Sequence, residues 1–433
     1  MNAVVSLEDV IEAIQEALVA AEPTSAAWDD LEREAYAHDV AVTLLAERAR
    51  RAMECNEEPM DPVAESDLIG RAIASYFGAG KFQRFLDLED MTDLMINGAD
   101  SIWVEYVDRG RERWPHRVFI DDADLRDEVA QLARRAGATE RRFDDGQPLL
   151  VMRLPDGSRL AAIMVVSTRP QVSIRRNVLP VASLGELEQR GTIDAAMRSI
   201  FEAALRVGLR IVASGETGAG KTTFLRALVN ATPVETRFCV IEDTRELNLA
   251  GDPTRSGAVL EWETREANIE GAGEITQADL VRHALRFNPD WLVVGEVRDA
   301  AAAREMLLAM QHGHPSLSTV HHHSAGSAWK KLAQYVAQGP TAVGFDIAAL
   351  LISDAVDLFV HLGRDCDGRR AVVEVCEVAG WNGSEVQLNR LFVPGPSGRG
   401  VPQPHLSDAR RGVLVDAGFD HSLMLNPDGW WVR

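Results

Sequence analysis

The sequence predicts an α/β fold in which a domain built on a parallel sheet follows a smaller α+β domain and a helical, acidic arm. Short apolar runs, each followed by turn residues and a helical segment, are typical of a parallel sheet covered by helices on both faces. Hairpin-type runs precede them, and the first 66 residues carry apolar side chains at helical spacing. The apolar runs are Arg210–Ala213, Phe238–Ile241, Trp291–Val294 and Leu317–Val320.

The predicted arm, residues 1–66, is strongly acidic. Residues 1–67 contain 17 acidic and 4 basic side chains, so they carry −13 of the net charge of −21. Ser6 and Asp9 have the spacing of a capping box at the start of a helix. A solvated helical face is the favoured interpretation, and a docking site for a basic partner is the alternative. Asn56–Pro62 is predicted to be a linker.

Residues 67–180 mix strands with a helix, which predicts an α+β N-terminal domain. Thr92–Ile96 and Ile102–Val107 flank Asn97-Gly98-Ala99-Asp100, a strong hairpin pattern. Two further strand-like runs flank Pro155-Asp156-Gly157, another turn. Leu179–Ser183 is the predicted hinge into the domain built on the parallel sheet, residues 181–365. Residues 366–433 are predicted to form a C-terminal β-hairpin and a short helical tail, which ends in two tryptophans that we expect to pack rather than bind a partner.

Composition excludes several classes of protein. No stretch approaches the roughly 20 apolar residues that a membrane span needs, and the N-terminal residues lack the basic region of a signal peptide. The four cysteines form no CxxC pair, so a reducing, cytoplasmic setting is expected. The charge of −21 disfavours a protein that coats nucleic acid.

The most specific motif is a glycine-rich loop, Gly215–Thr222, between the apolar run Leu209–Ser214 and a helical run. Glycines let backbone N–H groups turn towards phosphates, and the following helix N-terminus favours negative charge. Lys221 would reach the β- and γ-phosphates and the Thr222 hydroxyl would bind Mg²⁺. A purely structural turn is the disfavoured alternative. The predicted nucleotide-binding residues are Gly215, Glu216, Thr217, Gly218, Ala219, Gly220, Lys221, Thr222 and Thr223. Gly78-Ala79-Gly80-Lys81 lacks the preceding strand, and we predict an ordinary loop there.

Two apolar runs end in acidic residues, as hydrolysis of a nucleotide requires. Trp291–Val294 leads to Glu296, at the place of a Walker B acid, and Phe238–Ile241 leads to Glu242. Parallel strands would bring both carboxylates to the sheet edge where ligands of such sheets bind. Each acid alone could be a helix cap or a turn residue, but together, beside the glycine-rich loop, they favour a catalytic interpretation.

A histidine-rich run, His321-His322-His323, follows the last apolar run. A metal site, a structural loop and a phosphate sensor at His321 are three competing interpretations, and the third is favoured. Metal binding is disfavoured because adjacent residues of an extended chain point to opposite faces.

Together these segments resemble the secretion ATPases of type II and type IV systems, closest to the branch that drives tight-adherence (Flp-type) pilus assembly. The segments that carry the resemblance are Met91–Gly98, Arg153–Arg159, Val172–Arg176, Ile241–Leu247, Asn268–Arg286, Val294–Asp299 and Ser318–His321.

The resemblance implies a RecA-like P-loop NTPase domain and roles for particular residues. Glu242 would polarise the attacking water, Glu296 would hold Mg²⁺ through water, and His321 would sense the γ-phosphate. Arginines of the N-terminal domain would close over the nucleotide, although each could instead be a surface residue. These are Arg153, Arg159 and Arg175, with Arg298 and Arg265 as weaker candidates elsewhere.

Two positions depart from the family pattern. His322-His323 replaces an Ala-Asn pair, so a role for that asparagine cannot be transferred. Glu216 stands where the family has glycine, and its side chain must point away from the phosphates because it would repel them.

The resemblance also implies partners and a location. We expect an ATP- and Mg²⁺-dependent homo-hexamer in the cytoplasm, held at the inner membrane by a polytopic platform protein and without direct contact to nucleic acid. The alternatives are a nucleic-acid motor of conjugative transfer and a catalytically silent subunit of such a machine.

Overall fold

The computed structural model describes residues 6–25, 28, 30–55, 59–88, 90–106, 109–135, 143–154, 156–176, 182–250, 255, 258–265, 267, 272–339 and 343–431. The chain divides into two compact units, Met1–Val178 and Leu179–Arg433, and each is described by itself. Residues 179–181 of the predicted hinge and residues 56–58 of the predicted linker lie outside the described residues.

The first unit begins with three helices that pack together: α1 (Leu7–Ser25), α2 (Asp30–Glu54) and α3 (Pro62–Tyr76). Their shared core holds small and branched side chains, among them Ile14, Ala41 and Ile69. The predicted capping box at the start of α1 is present, because the backbone N–H groups of Ser6 and Asp9 each donate to the other residue's side chain, at 2.7 and 3.2 Å. The predicted boundary between residues 66 and 67 falls inside α3.

The rest of the first unit is a six-stranded antiparallel sheet, with a short helix before its first strand and a longer helix between its third and fourth strands in sequence. The strands lie in the order β3-β2-β1-β6-β5-β4. The predicted hairpin around Asn97–Asp100 joins β1 to β2, and Gly98 there has a φ of +85°, which glycine tolerates best. The elements are α4 (Gln83–Leu86), β1 (Met91–Asn97), β2 (Ile102–Tyr106), β3 (Gly110–Arg113), α5 (Asp122–Arg135), β4 (Leu149–Arg153), β5 (Arg159–Ile163) and β6 (Gln171–Arg175).

The second unit is a nine-stranded mixed sheet in the order β15-β14-β13-β12-β7-β11-β10-β8-β9. The strands from β12 to β9 in that order are mutually parallel, as predicted for this segment, and β13, β14 and β15 extend the sheet antiparallel. The strands are β7 (Ile211–Gly215), β8 (Phe238–Glu242), β9 (Val259–Glu263), β10 (Trp291–Val294), β11 (Ser316–Val320), β12 (Leu358–Arg364), β13 (Arg370–Trp381), β14 (Val386–Pro394) and β15 (Gly400–Pro402).

Helices cover both faces of this sheet, so its central strands are buried throughout, as in doubly covered parallel sheets. Residues of β7 alternate between the two cores: Ile211 and Ala213 face one, and Val212 faces the other. The helices are α6 (Leu184–Gln189), α7 (Ala195–Arg206), α8 (Lys221–Asn230), α9 (Gln277–Ala284), α10 (Ala300–Gln311), α11 (Ala325–Ala337), α12 (Phe345–Ala355) and α13 (Asp408–Asp416).

The C-terminal tail packs against the rest of the second unit. Trp431 lies against one of the two cores, as expected for a packed residue, while Trp430 keeps 46% of its surface exposed. Among the described residues, no helix is both long and apolar enough to cross a bilayer.

Candidate functional site

The glycine-rich loop connects the buried strand β7 to the N-terminus of α8, which begins at Lys221. Gly218 and Gly220 have φ values of +76° and +95°, a region that favours glycine. A Cβ at Gly215 would lie 2.6 Å from the carbonyl oxygen of Leu362, so the loop passes too close to β12 for a side chain there. A Cβ at Gly218 would meet nothing within 4 Å, so that side of the loop is open. Amides at a helix N-terminus beside an open glycine turn suit a phosphate group.

Lys221 lies buried inside this loop. Its Nζ donates to the carbonyl oxygens of Gly215 at 2.9 Å and Glu216 at 3.0 Å. It also lies 3.4 Å from Nδ1 of His321. The ammonium group therefore stands among the loop carbonyls, where phosphate oxygens could replace them as its partners.

Glu242, the last residue of β8, is buried beside the next strand of the sheet. Its carboxylate accepts the N–H groups of Glu246 and Leu247, each at 3.2 Å. Burial raises the pKa of Glu242 to about 8, and the negative charge of the nearby Glu246 also contributes to the rise. The two hydrogen bonds lower the pKa, but their effect is smaller than that of burial. A Cβ at Gly295 would lie 2.8 Å from Cγ of Glu242, so the ends of β8 and β10 are in contact. A carboxyl group with a pKa near neutrality is suited to exchange a proton with water.

Glu296, two residues after β10, joins the lysine and histidine in one network. Its Oε1 lies 2.7 Å from Nε2 of His321, and its Oε2 accepts two N–H groups of Arg298 at 2.7 and 3.0 Å. His321 therefore lies between the Lys221 ammonium and the Glu296 carboxylate. The structure thus brings Lys221, Glu296 and His321 together at the carboxyl edge of the sheet, where ligands of such sheets bind.

Sequence reasoning assigned no role to two acidic residues that the structure places here. Glu246 accepts a hydrogen bond from the Thr222 hydroxyl at 3.3 Å, and Asp243 accepts one from Arg298 at 3.3 Å. Both follow β8 in the segment Ile241–Leu247, and their position one to four residues after Glu242 is the signal that could have found them.

Other predicted residues lie around this network. Glu216 has an exposed side chain, and its Oε1 lies 3.5 Å from Nδ1 of His323. His322 is half-buried beside Ser327, and burial lowers its pKa. Thr217 lies in the loop and Thr223 in the first turn of α8.

Of the two weaker arginine candidates, only Arg298 joins the network. The Arg265 guanidinium instead donates to the carbonyl of Gly273 at 2.6 Å, within a small antiparallel bridge to Ile275.

These side chains fit a magnesium nucleotide. The glycine turn, the helix N-terminus and Lys221 suit phosphates, while Thr222 and Glu296 offer the oxygen ligands that Mg²⁺ prefers, directly or through water. Within the described part of the chain, no three His, Cys, Asp or Glu residues are grouped as a metal cage, and this holds for the histidine run too.

The three N-terminal arginines form a row across the sheet of the first unit. Arg153 pairs in register with Arg159, and Arg159 pairs with Arg175 on the next strand. The row continues with Asp93 and Glu105. Because residues directly opposite on neighbouring strands share a face, the three cations lie side by side.

Comparison with known proteins gives one family match. The model of the type II/IV secretion system protein family matches residues 78–386. A Mycobacterium tuberculosis protein named for conjugal transfer is 33% identical over 309 residues, which cover 69% of this chain and 84% of the relative. Protein VirB11 of Agrobacterium fabrum is 32% identical over 267 residues, 54% of this chain and 75% of its own length.

A solved structure, the ATPase DotB of Legionella pneumophila, shares 18% identity and a TM-score of 0.47, covering 80% of this chain and 87% of its own. The assignment to a family rests on the sequence matches, which also bear out the predicted resemblance. These relatives' names do not concern tight-adherence pili, and that branch stays a prediction.

Proposed function

The chain belongs to the type II/IV secretion system protein family, and from that premise we propose that it hydrolyses ATP, with Mg²⁺, to drive pilus assembly or protein secretion through an inner-membrane machine. The observation that carries the proposal is the network at the carboxyl edge of the sheet, in which His321 contacts both Lys221 of the glycine-rich loop and Glu296.

The network supports distinct roles for its members. Lys221 exchanges the carbonyls of Gly215 and Glu216 for the β- and γ-phosphates. Thr222, through its hydroxyl, and Glu296, through water, would hold Mg²⁺, and that ion would supply positive charge beside the phosphates. His321, in contact with both Lys221 and Glu296, is placed to respond when either changes partner.

Glu242 is the proposed residue that orients the attacking water and takes its proton. Its buried carboxyl group has a pKa of about 8, so a positive charge nearby, such as a bound metal ion, would favour loss of its proton near pH 7. This dependence would link activation of water to binding of the complete magnesium nucleotide.

We also propose that Arg153, Arg159 and Arg175 act on the phosphates of the bound nucleotide, and their shared row in the sheet register supports this. We assign residues 67–180 as the arginine-bearing domain, 181–365 as the ATPase domain and 366–433 as its C-terminal extension, with residues 1–66 as the arm. The planar guanidinium group suits the charge of a phosphoryl group in transfer. Arg159→Ala, at the centre of the row, should lower turnover by roughly tenfold or more, as loss of one charge-assisted contact does. Arg111→Ala is the matched control, because Arg111 lies in the same row but pairs with Glu105 at 2.9 Å.

We further propose that the protein works as a homo-hexamer in the cytoplasm, at the membrane through a polytopic platform protein. Family membership supports this assembly. Sedimentation with ATP and Mg²⁺ should show a species six times the mass of the chain, and a monomer alone at micromolar concentration would contradict the ring.

A nucleic-acid motor of conjugative transfer is the second candidate, favoured by one observation: the Mycobacterium tuberculosis relative is named for conjugal transfer. Against direct contact with a strand stands the net charge of −21. If single-stranded DNA raises turnover severalfold, this candidate is supported. If DNA leaves turnover unchanged, the proposed function in pilus assembly or protein secretion is supported.

The proposed activity is tested by phosphate release from ATP and Mg²⁺ with the wild type and Glu242→Gln. The wild type should turn over, and Glu242→Gln should bind ATP yet hydrolyse it about 100-fold more slowly, as expected when a catalytic base is lost. Glu263→Gln is the control, since Glu263 occupies the same register position on the neighbouring strand β9. A wild type that binds ATP without turnover would identify a catalytically silent subunit, and equal rates for the two glutamine variants would move the base elsewhere.

A further inference from the structure

An arginine from outside the motif holds the glycine-rich loop from its outer side. Arg370, the first residue of β13, donates through Nε to the carbonyl oxygen of Gly218 at 2.9 Å. Its Cδ would lie 3.4 Å from a Cβ at Gly220, so the side chain passes along the loop. Arg370 is 150 residues further along the chain than Gly220, and no sequence motif connects the two.

This contact fixes the orientation of a peptide group in the loop. In a trans peptide the carbonyl of Gly218 and the N–H of Ala219 point in opposite directions. Arg370 holds the carbonyl, and the N–H donates to the carbonyl oxygen of Glu216 at 3.2 Å. The peptide between Gly218 and Ala219 is therefore held at both ends. Holding it keeps the shape of the turn when Lys221 leaves the carbonyls on the inner side.

The position of Arg370 is set by a turn organised around Asp365. The Asp365 carboxylate accepts the N–H groups of Asp367 at 3.0 Å and Arg369 at 2.8 Å. The backbone closes the same turn, because the N–H of Asp365 donates to the carbonyl of Arg369 at 2.8 Å and the N–H of Gly368 donates to the carbonyl of Asp365 at 3.0 Å. Since Arg370 follows directly, a shift of Asp365 would move the start of β13 and its first side chain.

Asp365 is in turn held by Arg399, and Arg399 is covered by the C-terminal tail. The Arg399 guanidinium donates to Asp365 Oδ2 through Nε and Nη2, both at 2.9 Å, and both side chains are buried. The ring of Trp431 lies over Arg399, 5.3 Å from its guanidinium carbon, at a distance typical of a cation–π contact. The tail is also anchored at Trp430, whose backbone N–H donates at 3.0 Å to the carboxylate of Asp194, the residue before α7.

We propose that Arg370 is a positioning residue for the phosphate loop, and that the C-terminal tail sets the affinity for nucleotide through Trp431, Arg399 and Asp365. This inference rests on the proposed function, in which Gly215–Thr222 binds ATP. The C-terminal tail would then regulate the site: a partner that draws Trp431 away from Arg399 would weaken nucleotide binding without contacting the nucleotide site.

The first test is the dissociation constant of a fluorescent, slowly hydrolysed ATP analogue with Mg²⁺, measured with Arg370→Ala and with Arg369→Ala as its control. Arg369 is the adjacent arginine, and its side chain is 68% exposed beside Asp367. Loss of a charge-assisted hydrogen bond should weaken binding about tenfold in Arg370→Ala. Arg369→Ala should bind like the wild type. The value of kcat at saturating ATP should fall no more than about twofold, because the residues of the proposed chemistry remain.

The second test asks whether the tail acts through Arg370. Trp431→Ala should weaken binding about threefold, and Trp431→Phe should restore it because a phenyl ring keeps the cation–π contact. Trp430→Ala, whose half-exposed ring only donates to the Leu423 carbonyl, is the control. The double variant Arg370→Ala/Trp431→Ala should bind no more weakly than Arg370→Ala alone, whereas distant sites that act separately have additive effects.

The outcomes separate this inference from the proposed function. A wild type that does not bind the analogue overturns the proposed function and the inference with it. If the wild type binds, equal affinity of Arg370→Ala and Arg369→Ala overturns the positioning role. Additive effects in the double variant, or a tail variant that lowers only the melting temperature, overturn the coupling.

Discussion

The chain contains the tetrapeptide Gly-Ala-Gly-Lys twice, at residues 78–81 and 218–221, and the two copies have different surroundings. In the second copy, a buried strand precedes the loop and Lys221 begins an α-helix. In the first copy, the loop follows helix α3, and Lys81 lies in a single turn of 3₁₀-helix, Gly80–Phe82. The surroundings decide what each lysine can do.

The two ammonium groups have different partners. Lys81 donates to the Asp124 carboxylate at 2.5 Å, and its own N–H donates to Glu128 at 2.9 Å. Lys221 donates to two backbone carbonyls, at 2.9 and 3.0 Å. An ion pair with a carboxylate satisfies the first lysine within the fold. The second lysine has neutral partners in its loop, and phosphate oxygens would be stronger ones. The comparison therefore assigns a structural role to one copy and a binding role to the other.

The largest expected difference between the copies is in turnover. Lys221→Ala should lower phosphate release from ATP by about 100-fold or more, since it removes a charge that stabilises phosphoryl transfer. Lys81→Ala should leave turnover per folded molecule within about twofold, because Lys81 pairs only with side chains of its own unit. Steady-state assays at saturating ATP measure both. Similar losses of turnover in the two variants would contradict the different roles assigned to Lys81 and Lys221.

The pH dependence of turnover sharpens the same comparison, because the second copy belongs to the proposed site whose base is Glu242. Glu242 has a pKa of about 8, above its ordinary value, so its neutral form predominates in the folded chain at pH 7. The value of kcat/KM should rise about tenfold between about pH 7 and about pH 9, as the fraction of ionised base increases. Glu263→Gln should keep this rise.

The sign for stability is the opposite of that for activity. A raised pKa in the folded state contributes stability that is complete below the unfolded value of about 4.3 and is lost as the pH rises through about 8. Glu242→Gln should therefore flatten both the kinetic profile and the decline of stability between about pH 4.3 and about pH 8. A wild type whose kcat/KM is level across this range would remove Glu242 as the base.

The smallest expected difference is in stability at neutral pH, and it runs the other way. Lys81→Ala should lower the free energy of unfolding by about 1 kcal/mol, because it breaks a partly buried ion pair and leaves Asp124 without that partner. Lys221→Ala should lower it by less, since the loop carbonyls lie beside an open glycine turn. Denaturant titration followed by circular dichroism gives both values, and a larger loss for Lys221→Ala would contradict the assigned roles.

The difference between the copies also shows what the sequence could reveal. The loop at Gly215–Thr222 is continuous in the chain, and the strand before it and helix after it are local patterns, so its place in the fold was predictable. The end of β8 and the end of β10 were predictable for the same reason, although their contact at Gly295 depends on strand order.

Features that depend on distant parts of the chain were not predictable. The row of Arg153, Arg159 and Arg175 exists because three strands pair in one register, and a shift of one residue would turn any of them to the other face. Arg370 reaches Gly218 from a hairpin far along the chain. Glu246 joins Thr222 through a bend after β8 that no periodic pattern marks.

Binding of a slowly hydrolysed ATP analogue to the wild type, Lys81→Ala and Lys221→Ala, followed by calorimetry with Mg²⁺ present, tests the central claim most directly. The account predicts saturable binding at one site per chain, with the same affinity for wild type and Lys81→Ala and a loss of at least about tenfold for Lys221→Ala. Equal affinity of all three proteins, or a loss confined to Lys81→Ala, would contradict the assignment of Gly215–Thr222 as the nucleotide site.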